Sequence, residues 1–356
     1  MKLTNLIKCT AVAAALSLLL APRASACTGI TLKTTDGRTV IARTVEWSGS
    51  DNLSRYVVVP RGHKWVSLTP DGSTGRTFAG KYSYVGLAVQ QAEFVVEGLN
   101  EKGLSAGLFY FPDYGKYEDF DPALKESSIA DFQLVSFILG RCSSIEEVLA
   151  TINQTHIHNI DPRSSTAHWR FTEKGGRQVV LEIIDGKCIF YENPLGVITN
   201  SPSFDWQLTN LNNYVNLRSG NSGAYNFGEL KMKPFGGGSG MLGLPGDLTP
   251  PSRFVRAAFY QSTAPVLDST EETVFQAFHL LNNFDLPIGM QTIAGEEPTD
   301  IPSATQWTSA SDLSEGKIYF RTMYDSTIRC IELSKIRKFI DEPMDKSHTQ
   351  PVKMIL

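Results

Sequence analysis

The chain has 356 residues, with 33 Lys and Arg against 37 Asp and Glu and a net charge of −4. A mildly acidic balance with no basic stripe argues against a nucleic-acid binder. Beyond the first 26 residues no apolar run approaches the roughly 20 residues of a membrane span.

Residues 1–26 read as a secretory leader. Lys2 and Lys8 make a positive start, residues 10–21 a short apolar stretch, and Ala24-Ser25-Ala26 a small-residue cleavage site. Cleavage there would make Cys27 the first residue of a 330-residue chain, enough for one large domain or two smaller ones, and a single domain over residues 27–356 is expected. A terminal cysteine carries a nucleophilic thiol and an α-amine, whose ordinary pKa of about 7.7–8.0 suits it to act as the base. The same segment has two other readings. An uncleaved anchor would need a longer apolar stretch, and a lipidated cysteine would want Leu where Ala24 stands.

A β-hairpin is expected at 27–33 and 39–44, turning at Asp36-Gly37. Further strands are expected at 84–90, 104–111, 168–171, 179–184 and 188–191. A helix is expected over 129–139, and Ser143-x-x-Glu146 reads as a capping box. Residues 236–240 are glycine-rich but lack the Lys-Ser/Thr of a phosphate loop. Pro251 suits the first turn of a helix over 253–260. A second capping box, Ser269-x-x-Glu272, opens 270–281, with Val274, Phe275, Phe278 and Leu281 assigned to one face. A late hairpin is expected at 318–324 and 328–333. Runs of strands alternating with runs of helices indicate an α+β protein with antiparallel sheets covered by helices.

After cleavage the cysteines would be Cys27, Cys142, Cys188 and Cys330, with no CxxC spacing, so a disulfide framework is not expected. His156 and His158 are the one close histidine pair. Their spacing, without a carboxylate cluster, is a poor metal site, and no metal or cofactor is expected. Cys27 chemistry needs a cation to stabilise the thiolate, a carboxylate to orient the amine, and donors for an oxyanion. Arg43-Thr-Val-Glu46-Trp47, on the strand paired with that of Cys27, supplies the first two.

Five segments in order carry a family resemblance: Cys27-Thr-Gly-Ile, Arg43-Thr-Val-Glu46-Trp47, Glu97-Gly-Leu-Asn-Glu-Lys-Gly-Leu104, Thr199-Asn-Ser-Pro202, and Leu244-Pro-Gly-Asp247 with Ser252-Arg253-Phe254. Together they resemble the choloylglycine hydrolases, the bile salt hydrolases and penicillin V acylases among N-terminal-nucleophile hydrolases. The resemblance implies a four-layer αββα sandwich of two antiparallel sheets between helices. It implies hydrolysis of a linear amide through a thioester. Cys27 would be nucleophile and its amine the base, with Arg43 near the sulfur and Glu46 where the family usually has Asp. Asn200 and the backbone N–H of Tyr110 would hold the oxyanion, and Arg253 would complete the polar network. Trp47, Phe109 and Phe111 are the expected walls of an apolar acyl pocket. The implied substrates are glycine- or taurine-conjugated bile salts, with penicillin V or another linear amide such as an acyl-homoserine lactone as the alternative. An exported, periplasmic or secreted homotetramer is implied. The rivals from another class are a lipid-anchored binding protein and a catalytically dead binding module.

Overall fold

The computed structural model describes residues 25–47, 50–160, 165–290 and 301–356. Residues 1–24 of the leader read in residues 1–26 lie outside them. In chain order the strands are β1 (Ser25–Lys33), β2 (Thr39–Trp47), β3 (Arg55–Val59), β4 (Lys64–Val66), β5 (Thr77–Ala79), β6 (Tyr84–Ala88), β7 (Val95–Asn100), β8 (Ser105–Tyr110), β9 (Ser128–Ala130) and β10 (His156–His158). They continue with β11 (Ala167–Thr172), β12 (Gln178–Ile184), β13 (Lys187–Glu192), β14 (Tyr225–Phe227), β15 (Leu230–Met232), β16 (Thr305–Asp312), β17 (Lys317–Thr322), β18 (Arg329–Glu332) and β19 (Ile340–Pro343). The helices are α1 (Leu134–Arg141), α2 (Ile145–Ile152), α3 (Phe204–Asn210), α4 (Pro250–Thr263) and α5 (Thr270–Leu281).

Two antiparallel sheets stack at the centre. The smaller runs β1-β2-β16-β17-β18 and the larger β13-β12-β11-β8-β7-β6-β3-β19. Helices α4 and α5 cover the smaller sheet through β1, β2 and β16, while α1 and α2 lie on β7, β8 and β11 of the larger one. The four layers form the αββα sandwich that the resemblance implies.

The first hairpin shows how local sequence sets register. Gly37 takes φ 84°, a conformation that only glycine adopts freely, and its N–H bonds Thr34 O at 2.9 Å. The turn places Cys27 opposite Val45, Gly29 opposite Arg43 and Ala26 opposite Glu46. Side chains alternate across a strand, so Cys27, Gly29, Arg43 and Val45 share the face toward the larger sheet. Gly29 is the point of closest approach. A Cβ there would lie 2.8 Å from Ile198 Cγ2, 2.9 Å from Arg170 Nη1 and 3.0 Å from Phe109 Cζ.

Three local expectations are corrected. Residues 129–139 split into β9, a 3-10 turn (Asp131–Gln133) and α1, because Ile129 pairs with Ile157 of β10. The first capping box closes one residue later. Ser144 accepts the Glu147 N–H at 3.2 Å, and Glu147 Oε2 takes the Ser143 N–H at 2.6 Å. In α5 the buried stripe is Val274, Ala277, Phe278 and Leu281, and Phe275 is exposed. The second capping box and the late hairpin form as expected, with Ser269 Oγ 3.1 Å from the Glu272 N–H.

Candidate active site

Cys27 is 4% exposed, near the start of β1. Burial pushes its thiol above the usual range. The Arg43 guanidinium opposes this most, Glu46 adds to it, and Arg253 opposes it further.

Arg43 is held by a defect in the larger sheet. Between β6 and β7 the register slips, with Leu87 opposite Glu97 and Ala88 opposite Val95, so Val96 is a bulge residue. The β7–β8 ladder stops at Glu97–Gly107. Val96 O and Leu108 O, just past that point, both accept from Arg43 Nη1, at 2.9 and 2.6 Å. Phe109 supports the guanidinium from one side, its ring centroid 3.8 Å from Cζ. Glu97 Oε2 lies 3.5 Å from Arg43 and 3.7 Å from Arg170, all three side chains being buried. Gly107 leaves room for that carboxylate, since a Cβ there would lie 2.5 Å from Glu97 Oε2.

Asn200 joins the remaining elements. Its Oδ1 accepts from the Cys27 N–H at 2.9 Å and from Arg253 Nη2 at 2.7 Å. Its Nδ2, with two hydrogens, donates one to Tyr110 O at 2.7 Å. The Phe111 N–H bonds Thr166 O at 2.8 Å. Alternation along β8 therefore turns the Tyr110 N–H to the edge where pairing with β7 has ended. Arg253 also donates to Cys27 O, to Thr28 Oγ1 at 2.9 Å and to Leu248 O at 3.0 Å. The start of α4 fixes this arginine. Asp247 accepts from the Thr249 N–H at 2.9 Å and from Ser252 Oγ at 2.6 Å. Those bonds hold the Asp247 carboxyl low, at about 2.

Glu46 lies on the other face of β2, toward the helices, with Oε1 3.3 Å from Thr305 Oγ1. Burial raises its carboxyl to about 7 against the pull of Arg253, Thr44, Arg43 and Thr305. Ala26, opposite Glu46, packs with Leu286 and Ala304. Trp47 ends β2 and meets Tyr110 edge-on, with ring centroids 6.3 Å apart.

The structure thus brings Cys27, Arg43, Glu46, Tyr110, Asn200 and Arg253 together. Phe109 and Phe111, expected as pocket walls, have no exposed surface. Phe109 lies under Arg43, and Phe111 stacks on the His168 ring at 4.6 Å and 10°. They brace the site from inside the sandwich. Sequence reasoning missed the charges of that interior, Arg170, His168 and Glu182. It quoted Glu97 only within a motif and left Thr305 out. Cys142, Cys188 and Cys330 are free thiols. Among the described residues no group of three His, Cys, Asp or Glu could hold a metal ion, and no helix is long and apolar enough to cross a membrane.

Within an αββα sandwich, the structure thus gathers a buried cysteine, two arginines and an asparagine amide. Residues 27–344 match the model of the linear amide C–N hydrolases, choloylglycine hydrolase family, and the chain belongs to that family. It is 33% identical over 315 residues to a bile salt hydrolase/transferase of Clostridium perfringens, covering 87% of this chain and 93% of the relative. A penicillin V acylase of Pectobacterium atrosepticum is 23% identical, covering 83% of this chain and 77% of the relative. The crystal structure of a variant conjugated bile acid hydrolase from Clostridium perfringens superposes with a TM-score of 0.79 at 29% identity, covering 93% of this chain and all of that one. The penicillin V acylase of Agrobacterium tumefaciens, with a TM-score of 0.70 at 22% identity and 87% coverage of both chains, shares the fold.

Proposed function

We propose that this enzyme hydrolyses the amide bond of glycine- or taurine-conjugated bile salts, with Cys27 as an N-terminal nucleophile and a thioester as intermediate. The observation that carries the reading is the Asn200 side chain, bonded at once to the nitrogen of Cys27, to Arg253 and to the Tyr110 carbonyl. The names of the relatives supply the substrate class, and the family match begins at residue 27.

On this reading, export removes residues 1–26 and leaves the α-amine where the Cys27 nitrogen now sits. Ala26 goes with the leader, and the space it fills beside Glu46, Leu286 and Ala304 opens. The amine takes the thiol proton, and Arg43 and Arg253 favour the thiolate. The sulfur attacks the carbonyl carbon, and the oxyanion meets the second Nδ2 hydrogen of Asn200 and the Tyr110 N–H. Collapse passes the proton from the α-ammonium to the leaving amine and gives the thioester. Water, deprotonated by the α-amine, then attacks the thioester, releasing the acid and the thiol.

The Trp47–Tyr110 pair, 6.3 Å apart beside Asn200, favours a second reading, a smaller aromatic acyl site that takes penicillin V. The test is kcat/KM of leader-free protein on glycocholate, taurocholate and penicillin V under reducing conditions. A tenfold preference for a bile conjugate, about 1.4 kcal/mol at the transition state, supports the first reading. The reverse supports the second. No turnover with the Cys27 terminus verified rejects both.

A further inference from the structure

Asn200 sits in a short irregular segment, and something must fix the direction of its amide. The segment leaves the sandwich after Val197 and Ile198, whose N–H bonds Gly29 O at 3.1 Å, and enters α3 at Phe204. Both ends of residues 199–204 are tied to one buried pair. His168 Nε2 lies 3.2 Å from Thr199 O, the carbonyl immediately before Asn200. His168 Nδ1 lies 3.2 Å from Glu182 Oε1. The same Glu182 oxygen accepts the Phe204 N–H at 2.9 Å. The two side chains are 2% and 0% exposed and stand on adjacent strands, β11 and β12.

We propose that His168 and Glu182 are positioning residues which clamp the 199–204 segment at both ends and so aim the Asn200 amide at Cys27. The proposal rests on the catalytic reading of Cys27 and Asn200 given above.

The proton inventory supports a fixed arrangement. A carbonyl oxygen only accepts, so Nε2 carries a hydrogen and donates to Thr199 O. One further proton then lies between Nδ1 and Glu182 Oε1, whichever atom it is drawn on. These three contacts are met with the pair neutral overall, as burial favours, while Glu182 Oε2 has no hydrogen-bond partner among the described residues. The ring cannot turn away. Phe111 stacks on it at 4.6 Å, and Phe109 meets it edge-on at 6.2 Å. Phe109 also carries Arg43, so one aromatic side chain braces the cation and the clamp together.

The test compares double variants in a Glu182→Gln background, which leaves no unpaired buried carboxylate and still accepts the Phe204 N–H. His168→Gln keeps a donor that reaches Thr199 O. His168→Phe keeps a flat ring but removes the donor. His168→Asn keeps a polar group too short to reach. We expect H168F/E182Q and H168N/E182Q to lose at least tenfold in kcat on glycocholate with KM within twofold. H168Q/E182Q should stay within threefold of E182Q. Two loss variants cover the chance that one fails to fold, which thermal melting would reveal. Equal kcat in all three double variants would overturn the proposal, as would a change confined to KM. Hydrogen exchange of a peptide spanning 199–204 gives a readout independent of turnover. Exchange should accelerate there in the loss variants and stay unchanged in the strands of the smaller sheet. A wild-type chain that hydrolyses no amide would reject the catalytic reading, and unchanged exchange at 199–204 would reject the clamp.

Discussion

Gly29→Ala adds one methyl group at the narrowest point between the sheets. The new Cβ would lie 2.8 Å from Ile198 Cγ2, 2.9 Å from Arg170 Nη1 and 3.0 Å from Phe109 Cζ. Each neighbour is essentially unexposed, so none can swing into solvent. Nor can β1 retreat, because Gly29 exchanges backbone hydrogen bonds of 2.7 and 3.1 Å with Ile198. Overpacking of this kind costs about 1–3 kcal/mol. In a chain of this length that is a fall in Tm of about 1.5–4 °C. The activity effect is expected to be larger in proportion. Phe109 moves with the methyl group, and the Arg43 guanidinium stacked on it moves too. A displacement near 1 Å at a catalytic group costs about a hundredfold, so kcat should fall between ten- and a hundredfold. Differential scanning calorimetry and steady-state kinetics on leader-free protein read the two effects. Gly175→Ala, where a Cβ meets nothing within 4 Å, is the neutral control. A Tm within 1 °C of wild type together with an unchanged kcat/KM would refute the reasoning.

Cys27→Ala should abolish turnover while leaving the melting curve in place, and Cys27→Ser should be severely impaired because an alcohol ionises far less readily than a thiol. Residual turnover above a trace in the alanine variant would remove Cys27 from the nucleophile role. A chain that keeps residues 1–26 should be inactive on every amide tested until cut, with mass spectrometry reporting the terminus. Glu46 predicts a pH dependence in that uncut chain. Its carboxyl titrates at about 7 in the fold against an ordinary 4.5. The folded state therefore holds the proton more tightly, and this contribution is present below about 4.5 and lost as pH rises to 7, by up to about 3 kcal/mol. Asp131 titrates at about 7 for the same reason, burial, so the comparison must be with Glu46→Gln. Urea unfolding at pH 5 and 8 should show a smaller pH difference in E46Q, and identical differences would count against the assignment.

Much of the site was legible in the sequence because its parts are motifs with local causes. A cysteine after a small-residue cut, an arginine and a carboxylate on the partner strand, and an arginine at a proline-started helix need only local geometry. The interior charges were not legible. In β11 the run Ala167–Thr172 is buried throughout, and alternation separates His168 and Arg170 from Trp169 and Phe171. Alternation does not say which set faces the other sheet, and polar residues at period two ordinarily read as a solvent face. The aromatic strand end failed for the same reason. Phe109 and Phe111 look like pocket walls until the partner strand supplies an imidazole and an arginine for them to hold. Helix boundaries failed where two overlapping signals fit equally, as with Ser143 and Ser144.

The interrupted ladder at Val96 has an electrical consequence. A buried guanidinium is ordinarily neutralised by a carboxylate held close against it. Arg43 instead takes its short contacts from two peptide carbonyls, while Glu97 stands at 3.5 Å and is divided with Arg170. Two buried arginines thus share one buried carboxylate between the sheets, so positive charge is in excess within this cluster. A skipped pairing in one sheet gives the other a standing potential at its edge. On the proposed mechanism the Cys27 sulfur gains and loses negative charge in every turnover, and it would meet that potential already in place, with no group having to move to create it.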